Sequence, residues 1–94
     1  MNKCLRIIVT AKFPDELLIN FIQKNAKKLA LEGTAQIVDP KVKIIRITIC
    51  GDAQALDYFI DILHAGTKGF DLANLEIEPF LKDKDYRAVF RILE

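Results

Sequence analysis

The chain has no serine and no tryptophan, a single histidine, three prolines and four glycines. Without serine there is no serine hydrolase, and any mechanism built on cysteine or threonine would have to take its base from His64. His64 falls in the last turn of an expected helix, where a histidine suits the negative end of the helix dipole, so its expected role is structural. The two cysteines, Cys4 and Cys50, have no Cys-x-x-Cys spacing and read as buried or half-buried thiols. A zinc site would need three or four ligands from those thiols, His64 and carboxylates. The thiols fall in separate strands and His64 in the helical layer, so neither a metal nor a cofactor is expected. Charge of one sign is also scarce: the formal net charge is +1 with both signs interspersed, which makes no demand for nucleic acid. Arg6 and Thr10 interrupt the first apolar run, so it is neither a signal peptide nor a membrane span. A cytoplasmic protein of one domain, residues 1–94, is expected, hiding roughly 60–65% of the surface of its unfolded chain.

What is present is strong apolar patterning. Residues 4–11 alternate, with Leu5, Ile7, Val9 and Ala11 on one face and Arg6, Ile8 and Thr10 on the other, which predicts a strand. Pro14 and the natural cap Asp15 then open a helix in which Leu18, Phe21, Ile22, Ala26 and Leu29 recur at helical spacing, with Gly33 as its stop signal. Residues 34–39 and 42–50 read as a hairpin around Pro40-Lys41. Asp52 caps a second helix over 53–65, whose stripe is Leu56, Phe59, Ile60 and Leu63, and Gly66 closes it. Residues 72–79 alternate Ala73, Leu75 and Ile77 against Asn74, Glu76 and Glu78, and a last strand, 86–93, follows the charged run Lys82-Asp83-Lys84-Asp85.

The order β-α-β-β-α-β-β, with two helices needing one sheet face, predicts an α+β two-layer ferredoxin-like sandwich. Its first four strands should lie in the order 4-1-3-2, with the fifth extending an edge. The first and third strands then pair antiparallel with residue numbers summing to about 54, which sets Cys4 opposite Cys50 at roughly 4.5–5.5 Å between Cα atoms, as free thiols in a reducing compartment.

This succession, with Ala-Lys-Lys-Leu-Ala-Leu-Glu-Gly-Thr-Ala-Gln at 26–36, Gly51 before the second helix and Phe-Arg-Ile at 90–92, resembles the acylphosphatase family. The resemblance implies hydrolysis of carboxyl-phosphate bonds by a loop of the type Gly-x-Val-Gln-Gly-Val-x-Phe-Arg and an asparagine on the second strand. Aligned through Ala26 to Gly33, the chain puts residues 11–19 over that loop, Ile19 on the arginine and Ile37 on the asparagine. The loop Lys12, Phe13, Pro14, Asp15 and Glu16 also lacks glycine, while Pro14 has no N–H and Asp15 and Glu16 carry the charge of the phosphate itself. A lysine such as Lys12 offers a point charge in place of a guanidinium fork.

Lys24, Lys27, Lys28, Lys41 and Lys43 read as a solvated helix face and a hairpin turn. The uncovered face of the sheet should show Arg6, Ile8 and Thr10 beside Ile44, Arg46 and Thr48, with no aromatic on which a base could stack. Arg6, Ile8, Ile44 and Arg46, with Val89, Arg87 and Arg91 near them, better suit a protein partner than base readout, and the partner expected for the domain as a whole is a protein or a small-molecule ligand. The expectation is therefore an acylphosphatase-like domain without catalysis, a monomer or weak dimer acting as an interaction or ligand-sensing module, with no nucleic acid and no membrane. The alternative is a working acylphosphatase.

Overall fold

Strand β1 (Asn2–Lys12) buries Leu5, Ile7, Val9 and Ala11 on one face and runs inside a five-stranded sheet of order β4-β1-β3-β2-β5. The computed structural model describes residues 2–14, 16–39, 41, 43–81 and 86–93. The expected cap Asp15, the turn residue Pro40, Val42 and the charged run Lys82 to Asp85 lie outside these. The other strands are β2 (Glu32–Asp39), β3 (Ile44–Asp52), β4 (Asp71–Pro79) and β5 (Phe90–Leu93). Every pairing is antiparallel except β2 with β5, which is parallel and extends the predicted order by one edge.

The β1–β3 register is the one read from the alternation: Arg6 faces Thr48, Ile8 faces Arg46 and Thr10 faces Ile44. Ile45, Ile47 and Ile49 therefore share the covered side with Ile7 and Val9, all fully buried. Cys4 meets Cys50 with 4.1 Å between Cα atoms, and the two form a disulfide, where free thiols were expected. Opposed residues of an antiparallel pair project side by side from the same face, so this register brings the two sulfurs within bonding reach.

Helix α2 (Ala53–Ala65) lies on the covered face through Leu56, Phe59 and Leu63, and its expected cap is present: Asp52 accepts from the backbone N–H groups of Gln54 (3.1 Å) and Ala55 (3.4 Å). Gly66 closes it at φ 70°. The first helical region departs from a plain α-helix. Leu18–Gln23 forms a π-helical segment that runs into a short α1 (Lys24–Lys28), and the Asn25 side chain donates to the Phe21 carbonyl at 2.7 Å where the bonding pattern changes. The apolar stripe survives, with Leu18, Phe21, Ile22 and Ala26 buried.

The stop signal is elsewhere than expected. Ala30, at φ 58°, reverses the chain, with Ala30 N–H on the Lys27 carbonyl (3.0 Å) and Leu31 N–H on that of Ala26 (2.9 Å), the bonding of a Schellman turn. Gly33 instead lies inside β2 between Ile49 and Phe90, at φ 140°, where any Cβ would overlap the Thr48 carbonyl oxygen. Gly51 also lies within its strand, and the Leu31 side chain fills the space beside it. In β4 a register shift opposite Thr10 and Ala11 brings Leu72, where Ala73 was expected, onto the covered side with Leu75. The last strand starts at Phe90, not at residue 86, because Arg87 and Ala88 both take positive φ (56° and 57°) in a tight turn closed by Val89 N–H on the Tyr86 carbonyl at 3.1 Å.

Candidate functional site

The loop after β1 turns its apolar member inward. Phe13 is buried against Phe70 (6.1 Å between ring centroids), Phe70 in turn packs on Phe21 (5.1 Å), and the Lys43 ammonium sits 5.1 Å from the Phe13 ring. Lys12 is exposed at the end of β1 opposite Asp71, while Pro14 and Glu16 are exposed and spend their carbonyls on the N–H groups of Leu17 and Asn20. Ile19 is 56% exposed and borders a shallow hollow of about 280 Å³ with Asn20, Gln23, Lys24 and Lys27. Ile37 is half-buried in β2, opposite Ile45 and packed on the core. Both are aliphatic groups, able neither to grip a phosphate nor to orient a water. His64 is exposed in the last turn of α2.

The uncovered face of the sheet is better furnished. Pairing across all five strands sets Glu78, Arg6, Thr48, Thr34 and Arg91 in one row, and Glu76, Ile8, Arg46, Gln36 and Leu93 in the next. A hollow of about 300 Å³ opens over these rows, lined by Arg6, Arg46, Thr34, Thr48 and Gln36. Phe80, just after β4 at one edge of the sheet, and Tyr86, in the turn before β5 at the other edge, both line the hollow. Aromatics are thus available on this face, contrary to expectation, because Tyr86 belongs to the turn before β5 and not to the strand. The Arg6 guanidinium lies 5.6 Å from the centre of the Phe80 ring and 3.5 Å from the Glu78 carboxylate, and Arg46 donates to Gln36 Oε1 at 3.2 Å.

Of the four residues expected to make a contact face, Arg6 and Arg46 line this hollow, whereas Ile8 and Ile44 are half-buried on the same face without lining it. Thr34 and Gln36 could have been found from the alternation of β2 against Ala35 and Ile37. Phe80 and Tyr86 could not, since both lie outside the strands and no alternation marks them.

No protein-family model matches the sequence, and no curated protein matches it either. Among solved structures, an acylphosphatase from Bacillus subtilis superimposes with a TM-score of 0.84, covering 100% of both chains at 21% sequence identity. The chain has the acylphosphatase fold. An acylphosphatase from Coxiella burnetii gives a TM-score of 0.83 at 20% identity, covering 98% of this chain and 93% of that one. HypF from T. kodakarensis gives 0.80 at 15% identity over 100% of this chain, which spans 12% of that protein. At such identities the acylphosphatase likeness is one of architecture, and chemistry has to be argued from the side chains. No helix among the described residues is long and apolar enough to cross a membrane.

Proposed function

We propose that this acylphosphatase-fold domain is a ligand-sensing or interaction module that works through the uncovered face of its sheet and does not hydrolyse acyl phosphates. The observation that carries the reading is the hollow over Arg6 and Arg46, where polar side chains from β1, β2 and β3 converge beside Phe80 and Tyr86. The lining is mainly polar, which suits a charged or polar ligand, and a volume of about 300 Å³ is at the lower end of small-ligand sites. The opposite argument holds for the loop at 12–16, whose described part offers a buried Phe13 and an exposed Glu16 where a phosphate would need convergent N–H groups. In this reading the domain acts as a monomer or weak dimer, without nucleic acid or membrane, consistent with a net charge of +1.

The test is hydrolysis of benzoyl phosphate by the purified protein, followed by a titration with inorganic phosphate watched through the backbone amides of residues 12–17. Release at the uncatalysed rate and unmoved amides are expected. Turnover well above the uncatalysed rate would establish a working acylphosphatase instead.

A further inference from the structure

Building on that reading, we propose that the hollow on the uncovered face takes a small organic anion, a carboxylate or phosphate carried on a flat ring. Three features of the site define this class. The first is charge. The lining holds two guanidinium groups and, among the described residues, no carboxylate. Arg6 faces Thr48 and Arg46 faces Ile8, so the two arginines are diagonal neighbours on adjacent strands, with Cα atoms roughly 7–8 Å apart. Like charges at this spacing repel, and an anion between them converts the repulsion into two attractions.

The second feature is unused hydrogen-bonding capacity. A guanidinium is a planar fork of N–H donors matched to carboxylate and phosphate oxygens. Arg6 spends one nitrogen on Glu78 at the rim, in a long contact of 3.5 Å between side chains 45% and 62% exposed, and Arg46 spends one on Gln36. The other arginine nitrogens have no hydrogen bond among the described residues. Thr48, opposite Arg6 and two residues along β3 from Arg46, and Thr34, opposite Thr48 on β2, add two hydroxyl side chains to the same lining.

The third feature is the wall. Tyr86 is buried, and the turn that holds it is strained: Arg87 and Ala88 occupy consecutive left-handed positions where asparagine and glycine are favoured. The surroundings maintain this conformation, since Glu32 accepts from Ala88 N–H at 3.4 Å and Val89 N–H closes on Tyr86. Strain held in place beside a cavity marks a pre-set surface. Phe80 and Tyr86, with Leu93, supply the small apolar part of a mainly polar lining, against which the ring of a ligand can rest while its charged head meets Arg6 and Arg46.

The experiment is a backbone-amide titration of the intact chain with four probes of similar shape: benzoate, phenyl phosphate, neutral benzamide and cationic benzylamine. Saturable shifts at residues 6, 34, 36, 46 and 48 are expected with benzoate and phenyl phosphate below about 10 mM, and none with benzamide or benzylamine. Arg46→Gln should weaken the anions at least tenfold while unfolding at the wild-type midpoint, and Glu78→Gln should tighten them about two- to fivefold by releasing Arg6. If benzamide bound on this face as well as benzoate, the anion assignment would fall and the ligand-sensing reading would stand. If none of the probes moved these amides, or the anions moved only residues 12–17, both would fall.

Discussion

Breaking the Cys4–Cys50 bridge is the perturbation whose size can be worked most directly from the structure. The bridge joins the adjacent interior strands β1 and β3 across a sequence separation of 46 and sits on the uncovered face, where removing it opens no cavity under the helices. Its main effect is therefore on the unfolded chain, which loses a cross-link. For a loop of that length the closure entropy is about 13–14 cal/mol/K, or about 4 kcal/mol at 25 °C. A domain of this size unfolds with an entropy of about 0.2 kcal/mol/K, so the midpoint should drop by about 20 °C. The assay is thermal and urea unfolding of the native chain, of the chain held in a phosphine reductant and of the Cys4→Ala/Cys50→Ala double variant. Intact mass after thiol alkylation reports whether the bridge was present at the start. The reduced and double-variant proteins should fold to the same sheet and agree with each other within about 1 kcal/mol. A loss below about 1 kcal/mol from a protein shown by mass to be bridged would refute the reasoning.

Three further outcomes are expected. Phe21→Ala should cost about 3–5 kcal/mol in urea unfolding, because the ring is buried and packs on Phe70, while exposed Lys24→Ala should cost little; the reverse ranking would overturn the helical phase. Ala30→Gly should stabilise by about 0.5–1 kcal/mol, since glycine relieves the left-handed strain at φ 58° and gives part of the gain back as unfolded-chain freedom. The Ala55 backbone N–H, joined by that of Gln54, holds the Asp52 carboxyl below its ordinary value of 3.8. A lowered folded value means that the Asp52 contribution is present above that ordinary value and is lost as pH falls through the lower one. Asp52→Asn, which keeps a capping oxygen, should thus show a shallower loss of stability with acid, and an unchanged acid limb would remove Asp52 as a cause.

The fold was legible because its strands alternate cleanly. One face of β1 and one of β3 had to be apolar together, which fixed the pairing and with it the meeting of Cys4 and Cys50. What periodicity could not show was which chemical state that meeting would take. Asp52 and Gly66 are local signals read at their own positions, and they bound α2 as expected. Gly33 was misread because a glycine after a helical stripe looks the same whether it ends the helix or lets two strands approach, and only the pairing of β2 with both β3 and β5 tells these apart. Leu72 displaced Ala73 for a similar reason, since a bulge is a property of two strands at once. The arginines of the hollow were visible from β1 and β3, whereas Phe80 and Tyr86 come from outside the strands and reach the site through tertiary structure.

The most direct test of the central claim is to map one ligand on two surfaces of the same protein, by titrating phenyl phosphate into the bridged chain and following every backbone amide together with benzoyl phosphate turnover in the same sample. The account predicts saturable shifts centred on Arg6, Thr34, Arg46 and Thr48, abolished by Arg46→Gln, with hydrolysis at the uncatalysed rate. Shifts centred on residues 12–17 and turnover that phenyl phosphate inhibits would contradict it.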